Sequence, residues 1–351
     1  MTNISSHKNN RILILSHKFL PFVGGIEVMS LFLANTIVKA GYKVKILTWT
    51  HDKYTEDLPF EIIRNPKLSI ILKEFRWANL ILENNPTLRL SWPLVFFKKP
   101  LIIVLHTWLN RTNSRIGWQD RLKKIWLKRA NKIITVSNAL REKNSINAEV
   151  IMNPYRAEEF KILKEIKRNK DFVFLGRLVS DKGTEHAIKA IFELNKLGYN
   201  MNLTIIGEGS EFAPLEKLTE NLQLTNKVTF TGVLRGLELT KMLNQHRFIL
   251  VPSLWEEPFG LVALEGMACG CIPVVSDGGG LPEAVGNAGL IFKRGNLDSL
   301  VSCIRNLLDD AKLESKLKEE AENHLKNHHS NVVGKKYLQI INNILNKNNF
   351  N

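Results

Sequence analysis

With 351 residues, 44% of them apolar and 24% charged, the chain can bury cores for two domains. That composition excludes a disordered chain, and three cysteines exclude a disulfide-built scaffold. The net charge of +15 is one-sided: residues 1–156 hold 25 Lys+Arg against 10 Asp+Glu, and residues 157–351 hold 24 of each. The first half therefore calls for an anionic partner, whether nucleic acid, anionic lipid or a phosphorylated substrate.

In chain order, Arg11–Ser16 reads as a strand, Glu27–Ala40 as a helix ended by Gly41, and Lys43–Thr48 as a second strand. Further strands are predicted at Leu68–Leu72, Leu101–Leu105, Lys132–Val136 and Glu149–Met152. The charged stretch Tyr155–Asp171 reads as a linker. A second series follows. Its strands are Phe172–Leu175, Asn202–Ile206, Val228–Thr231, Phe248–Val251 and Ile272–Val275, with helices between them, the first being Thr184–Leu197. Leu297–Lys326 and Gly334–Asn346 read as closing helices. Strands alternating with helices predict α/β architecture with parallel sheets. The expected division is 1–156, 157–330 and a C-terminal helix in 331–351. No apolar run reaches the ~18 residues of a membrane span, and Leu94–Leu109 is interrupted by Lys98, Lys99, Pro100 and His106. The N-terminus lacks the apolar stretch of a secretory signal. Together with Cys269 and Cys271 in one segment, this predicts a cytosolic protein.

Ligands of doubly wound sheets bind at the carboxyl ends of the strands, so motifs just after strands carry most weight. Gly24 and Gly25 follow the first strand and precede a helix. They suit either a tight turn or close backbone approach to an anion. Arg177 and Lys182, in FLGRLVSDKG, follow another strand and suit a diphosphate, or are solvated surface cations. In PSLWEEPFGLVALEGMACGCIPVVSDGGG, Glu257 and Glu265 flank a helix start at which the Phe259, Gly260 and Leu261 amides can grip a phosphate. A carboxylate accepts at two oxygens and so suits the vicinal hydroxyls of a ribose or hexose.

These segments, with GGIE near residue 25, ITVSNALRE at 134–142, IIGEGSE at 205–211 and VTFTGV at 228–233, resemble the family-4 glycosyltransferases. That family comprises retaining enzymes of the GT-B fold, glycosyl transferases group 1. The resemblance implies two Rossmann-like domains facing a central cleft and transfer of a hexose-type sugar from a UDP- or GDP-sugar. It also implies that the C-terminal helix in 331–351 packs back on the first domain. It implies that Arg177 and Lys182 bind the diphosphate, Glu265 holds the ribose, and Glu257 contacts the sugar. The backbone of Phe259, Gly260 and Leu261 would touch phosphate and sugar, with Gly24 and Gly25 covering the diphosphate. His106 would stand near the transferred sugar, and Gly207 and Val233 near the base. Asn153 is followed by Pro154 where the family often has Gly, which leaves that loop undetermined. No Asp-x-Asp motif occurs, so no metal or other cofactor is expected.

Gly117–Lys132 reads as a basic amphipathic helix. Trp118, Leu122, Ile125, Trp126 and Ala130 share one face, with Arg121, Lys123, Lys124, Lys128 and Arg129 around the rest. Such a helix either lies on an anionic membrane or packs its apolar face on the domain core. The charge split suggests a membrane or phospholipid-linked acceptor, and with the resemblance it implies a glycan or lipid-linked acceptor in bacterial surface-polysaccharide synthesis, at the inner face of the cytoplasmic membrane. A nucleic-acid partner is not expected, because the basic half shows no zinc finger, helix-turn-helix or aromatic RNA-binding motif. A nucleotide-sugar epimerase on the same fold and a basic nucleic-acid-binding protein are the alternatives. Cys269 and Cys271 read as small buried residues, and His328 and His329 as a solvated pair.

Overall fold

The computed structural model describes residues 10–22, 24–51, 57–109 and 118–348. The side chains of residues 118–120 and 348 lie outside this description. The chain divides into one unit of residues 1–153 and 331–351 and a second of Pro154–Ser330.

In the first unit, β1 (Arg11–Leu15), α1 (Gly25–Lys39), β2 (Lys43–Thr48) and β3 (Glu61–Arg64) come first, followed by α2 (Leu68–Trp77) and β4 (Leu80–Asn84). Then come α3 (Leu88–Ser91), a 3-10 turn at Trp92–Val95, β5 (Leu101–Leu105), α4 (Trp118–Leu127), β6 (Lys132–Thr135), α5 (Asn138–Asn144) and β7 (Glu149–Val150). The strands pair in parallel in the order β3-β2-β1-β4-β5-β6-β7. Strands β4 and β5 are buried along their whole length, as strands covered on both faces must be.

The second unit runs β8 (Lys170–Leu175), a 3-10 turn at Ser180–Lys182, α6 (Thr184–Lys196), β9 (Leu203–Ile206), α7 (Phe212–Asn221), β10 (Val228–Gly232) and α8 (Gly236–Asn244). It continues β11 (His246–Val251), α9 (Leu261–Ala268), β12 (Ile272–Ser276), α10 (Leu281–Val285), β13 (Leu290–Phe292), α11 (Leu297–Asp309) and α12 (Ala311–Asn327). Its parallel order is β10-β9-β8-β11-β12-β13. Phe172, Phe248, Ile188 and Ile191 lie at the heart of its core.

Finally α13 (Ser330–Asn348) returns to the first unit. Its Val333, Tyr337, Ile340, Ile341 and Leu345 join Ile12, Ile14, Leu33 and Ile37 in one buried cluster. No helix among the described residues is long and apolar enough to cross a membrane.

Three local readings of the sequence are corrected. Leu68–Leu72 is the start of helix α2, not a strand; it buries Ile71, Glu74 and Phe75 at helical spacing, and the strand is the fully buried LILEN of β4. Leu297–Lys326 is two helices, because the Asp310 carboxylate accepts from the Lys312 and Leu313 amides and starts a new one. The charged stretch Tyr155–Asp171 is no linker. It belongs to the second unit, anchored by Phe160, which is 1% exposed, and by Arg156.

Candidate functional site

In each sheet the strand order reverses beside the first strand of the unit: between β8 and β11 in the second, between β1 and β4 in the first. The loops leaving such neighbours diverge and leave a crevice at the carboxyl edge.

In the second unit that edge holds the Arg177, Lys182, Glu257 and Glu265 set. Gly183, at φ +70°, caps α6 so tightly that a Cβ would stand 1.9 Å from the Pro252 carbonyl oxygen. The Leu254 and Trp255 amides donate to the Asp181 carbonyl at 2.9 and 3.1 Å, so the loop after β8 is fastened to the loop after β11. This places Lys182 Nζ 2.5 Å from Glu257 Oε1, to which the Ser253 hydroxyl also donates at 2.6 Å. Arg177 is exposed and enters no ion pair among the described residues. Two cations and a pre-oriented carboxylate therefore share one strand-end loop pair.

Gly207, at φ +144°, approaches Gly176 so closely that a Cβ would lie 1.8 Å from its carbonyl oxygen, and its own amide donates to Gly232 at 2.9 Å. That contact gathers the ends of β8, β9 and β10 and leaves Val233 47% exposed beside them. Helix α9 begins after Gly260, at φ +126°. The Phe259 ring is buried, facing the His328 ring, so Phe259 offers a ligand only its backbone. The first-turn amides of a helix have no intrahelical acceptor and favour an anion.

Glu265 sits on α9, 8% exposed. Its Oε1 accepts from Arg156 Nη2 at 3.0 Å and from Nε at 3.3 Å. Burial pushes this carboxyl up, and the Arg156 guanidinium opposes that shift. Arg156 also donates to Glu159 at 2.5 Å and lies over the Phe160 ring at 4.7 Å. Sequence reasoning missed Arg156 because it lies 109 residues before Glu265, in a stretch that read as a linker. The only hint was one aromatic, Phe160, four residues on. His328 is buried against Phe259 and His324, and His329 meets Tyr155, so neither is the solvated residue expected. Cys269 and Cys271 are free and buried, and burial pushes the Cys271 thiol up to about 12.

In the first unit, Gly24 is the N-cap of α1 and Gly25 its first residue. His106 follows β5 and is 7% exposed. The Asn84 amide nitrogen donates to the Ile26 carbonyl at 3.0 Å and to the Ser30 hydroxyl at 2.7 Å. The Ile26 carbonyl can only accept, so the Asn84 oxygen must face His106 Nε2, 2.7 Å away. Nε2 therefore carries the proton and Nδ1 is the lone-pair acceptor. Burial lowers the ring's pKa to about 3, so it is neutral at working pH. His106 can receive a hydrogen bond from a hydroxyl but cannot act as a general acid. Asn84, which sets this tautomer, carried no motif signal.

Helix α4 divides differently from its sequence pattern. Trp126 is buried, with its indole N–H donating to Glu83 at 2.9 Å, and is unavailable to a membrane; Leu127 is buried beside it. Leu122 and Ile125 are 42% and 60% exposed. Arg121, Lys128 and Arg129 are exposed, while Lys123 and Lys124 are half-buried. The expectation for the Trp118 side chain lies outside the described residues. The indole turns inward because Glu83, itself buried, needs donors; it also accepts from the Thr87 amide at 2.5 Å.

The comparisons accord with this geometry. Residues 155–324, nearly all of the second unit, match the family described as glycosyl transferases group 1. The chain is 36% identical over 143 residues to an uncharacterized glycosyltransferase of Methanocaldococcus jannaschii, an alignment covering 40% of this chain and 36% of that one. It is 26% identical over 344 residues to the gpi3 subunit of the phosphatidylinositol N-acetylglucosaminyltransferase of Schizosaccharomyces pombe, covering 88% and 74%. The chain spans little more than a third of the length of the first curated relatives that it matches. Among solved structures, HepE of Anabaena with UDP-glucose superposes with a TM-score of 0.76 at 18% identity, over 95% of this chain and 99% of that one. The fold is thus that of GT-B glycosyltransferases, two Rossmann-like α/β units.

Proposed function

We propose that the chain is a retaining glycosyltransferase that moves a hexose-type sugar from a nucleoside diphosphate sugar to a glycan or lipid-linked acceptor. The observation that carries this is the convergence of Lys182, Glu257 and Ser253 beside the start of α9, in the stretch that matches the group 1 family. In this reading Arg177, Lys182 and the α9 amides hold the diphosphate, Glu265 accepts from ribose hydroxyls, and Glu257 accepts from the sugar. Gly24 and Gly25 close over the diphosphate, and Gly207 and Val233 flank the base. HepE, a structural neighbour, is described in complex with UDP-glucose, which supports a UDP-sugar as first candidate.

The chemistry follows from charge. Breaking the sugar C1–oxygen bond leaves negative charge on the diphosphate, and preorganised cations stabilise it as it develops. The acceptor oxygen forms the new bond to C1 on the face that the phosphate leaves, and a phosphate oxygen takes the acceptor's proton. Neutral His106 receives a sugar hydroxyl at Nδ1 and orients the ring. No metal is assigned a role in this reading.

The setting we propose is the cytoplasmic face of a bacterial membrane, in surface-glycan synthesis such as lipopolysaccharide, capsule or exopolysaccharide. The one-sided charge supports it, as does a relative whose name specifies a phosphatidylinositol acceptor.

The test is a thermal-shift screen with UDP, GDP, ADP, CMP and their common sugar conjugates, in EDTA. A ligand at 100 times its Kd adds ~2.7 kcal/mol of stability. A shift with one nucleotide class, lost in Lys182→Ala and Glu265→Ala, is the expected result. Folded protein that shifts with none of them would overturn the donor site.

A further inference from the structure

The first unit has its own cavity, of about 560 Å³, at the point where its strand order reverses. Its walls come from the ends of β1 and β4, the first turn of α1, α3 and α4. The polar lining includes His17, Lys18, Arg89, Lys123, Asn84 and the single carboxylate Glu27; Leu88 and Leu122 form an apolar flank. A volume of this size suits a small molecule or a headgroup.

The charge of the lining is unbalanced. Lys18, Arg89 and Lys123 face one Glu27, and no ion pair among the described residues engages any of the three. This contrasts with the second unit, where Lys182 is already paired with Glu257 and Arg156 with Glu265. Three cations brought to one concavity repel one another unless an anion is present. Their fields meet there: Arg89 and Lys18 both depress the His17 imidazole, after burial. The opposite wall is rigid, because Trp126 ties α4 to the buried Glu83, and Glu83 also fixes the Thr87 amide at the start of α3. Asn84 of the lining belongs to a buried chain of Ser16, Ser30, Asn84 and His106, linked at 2.8, 2.7 and 2.7 Å. The hydroxyl-orienting His106 is thus connected to the cavity wall through Asn84.

We propose that this cavity binds the anionic group of the acceptor, a phosphate ester carried close to the hydroxyl that receives the sugar. Lys18, Arg89 and Lys123 clamp its oxygens, His17 donates a further hydrogen bond, and Leu88 and Leu122 take the adjoining apolar surface. The assignment to an acceptor rests on the reading of the chain as a glycosyltransferase. The phosphate can belong to a soluble sugar phosphate or to a lipid headgroup.

The test is a titration of the full chain with glucose 6-phosphate at low salt, followed through the His17 imidazole resonances, with glucose as control. Saturable shifts with the phosphate alone are expected. Affinity should fall at least tenfold in Lys18→Gln/Arg89→Gln and stay unchanged in Arg177→Gln/Lys182→Gln. Displacement of the sugar phosphate by vesicles with 30% phosphatidylglycerol assigns the site to a lipid phosphate; persistence of the signal assigns it to a soluble one. Equal affinity in a folded Lys18→Gln/Arg89→Gln variant, or loss only in the Arg177→Gln/Lys182→Gln variant, overturns the proposal. No nucleotide is present, so the outcome is independent of the donor screen.

Discussion

At the scale of single residues, each unit depends on groups that hold other groups. His106 is set by Asn84, and Glu265 by Arg156. Removing Arg156 leaves a buried carboxylate without its counter-charge, a change that costs several kcal/mol for fully buried pairs. Arg156 is about a third exposed, so Arg156→Ala should lower stability by only about 1–2 kcal/mol. It should also make nucleotide affinity fall as pH decreases toward 6, because the Glu265 carboxyl, already pushed up by burial, then protonates more readily. Calorimetric titration of wild type, Arg156→Ala and Arg156→Lys at pH 6 and 8 checks this; Lys should restore part of the affinity. The sign for His106 is the reverse case. Its folded pKa, about 3, lies below the unfolded value near 6.5. Between these values the unfolded chain binds a proton that the folded chain refuses, so stability falls as pH drops through 6.5. Urea midpoints at pH 7.5 and 5.5 should differ less in His106→Asn than in wild type.

At the scale of elements, local propensity misled where a short apolar run had two solutions. LSIIL is rich in strand formers, yet α2 takes it because Ile71, Glu74 and Phe75 then face one way, and Glu74 meets Lys45 at 2.9 Å. The boundary between α11 and α12 is a capping decision by one side chain. Asp310→Ala removes the acceptor for two amides and should cost about 1 kcal/mol, read as a lowered Tm. Helix α4 shows how far a helical face is legible. Its basic rim was readable from spacing, but the direction of Trp126 depended on Glu83, 43 residues away.

At the scale of the whole chain, charge is partitioned by unit. Residues 1–153 with 331–351 carry 27 Lys+Arg against 10 Asp+Glu, and Pro154–Ser330 carries 22 against 24. Exposed apolar side chains accompany that charge. Ile125 and Leu122 stand on α4, and Val95 and Phe96, 60% and 74% exposed, lie at the end of the turn whose Leu94 carbonyl accepts from Arg129, just after α4. A surface of this kind suits an anionic bilayer, at about 1 kcal/mol per basic residue near it. Vesicles with 30% phosphatidylglycerol should sediment with the protein at 50 mM salt and release it at 500 mM. Ile125→Ser with Phe96→Ser should weaken binding severalfold; failure to bind at low salt would remove the membrane from the proposal.

The sequence by itself determined the α/β class, most strands, the uneven charge and the residues after strand ends, because these depend on local periodicity and on glycines and charges at fixed spacing. Tertiary structure alone decided which of those residues meet. It placed Lys182 against Glu257 and Arg156 against Glu265, oriented His106 through Asn84, and gathered Lys18, Arg89 and Lys123 around one cavity. A strand's hydrophobic pattern says that it is buried but not which strands flank it. Where the sheet order reverses, side chains tens to a hundred residues apart are brought together, and that register is a property of the packed sheet rather than of any local run.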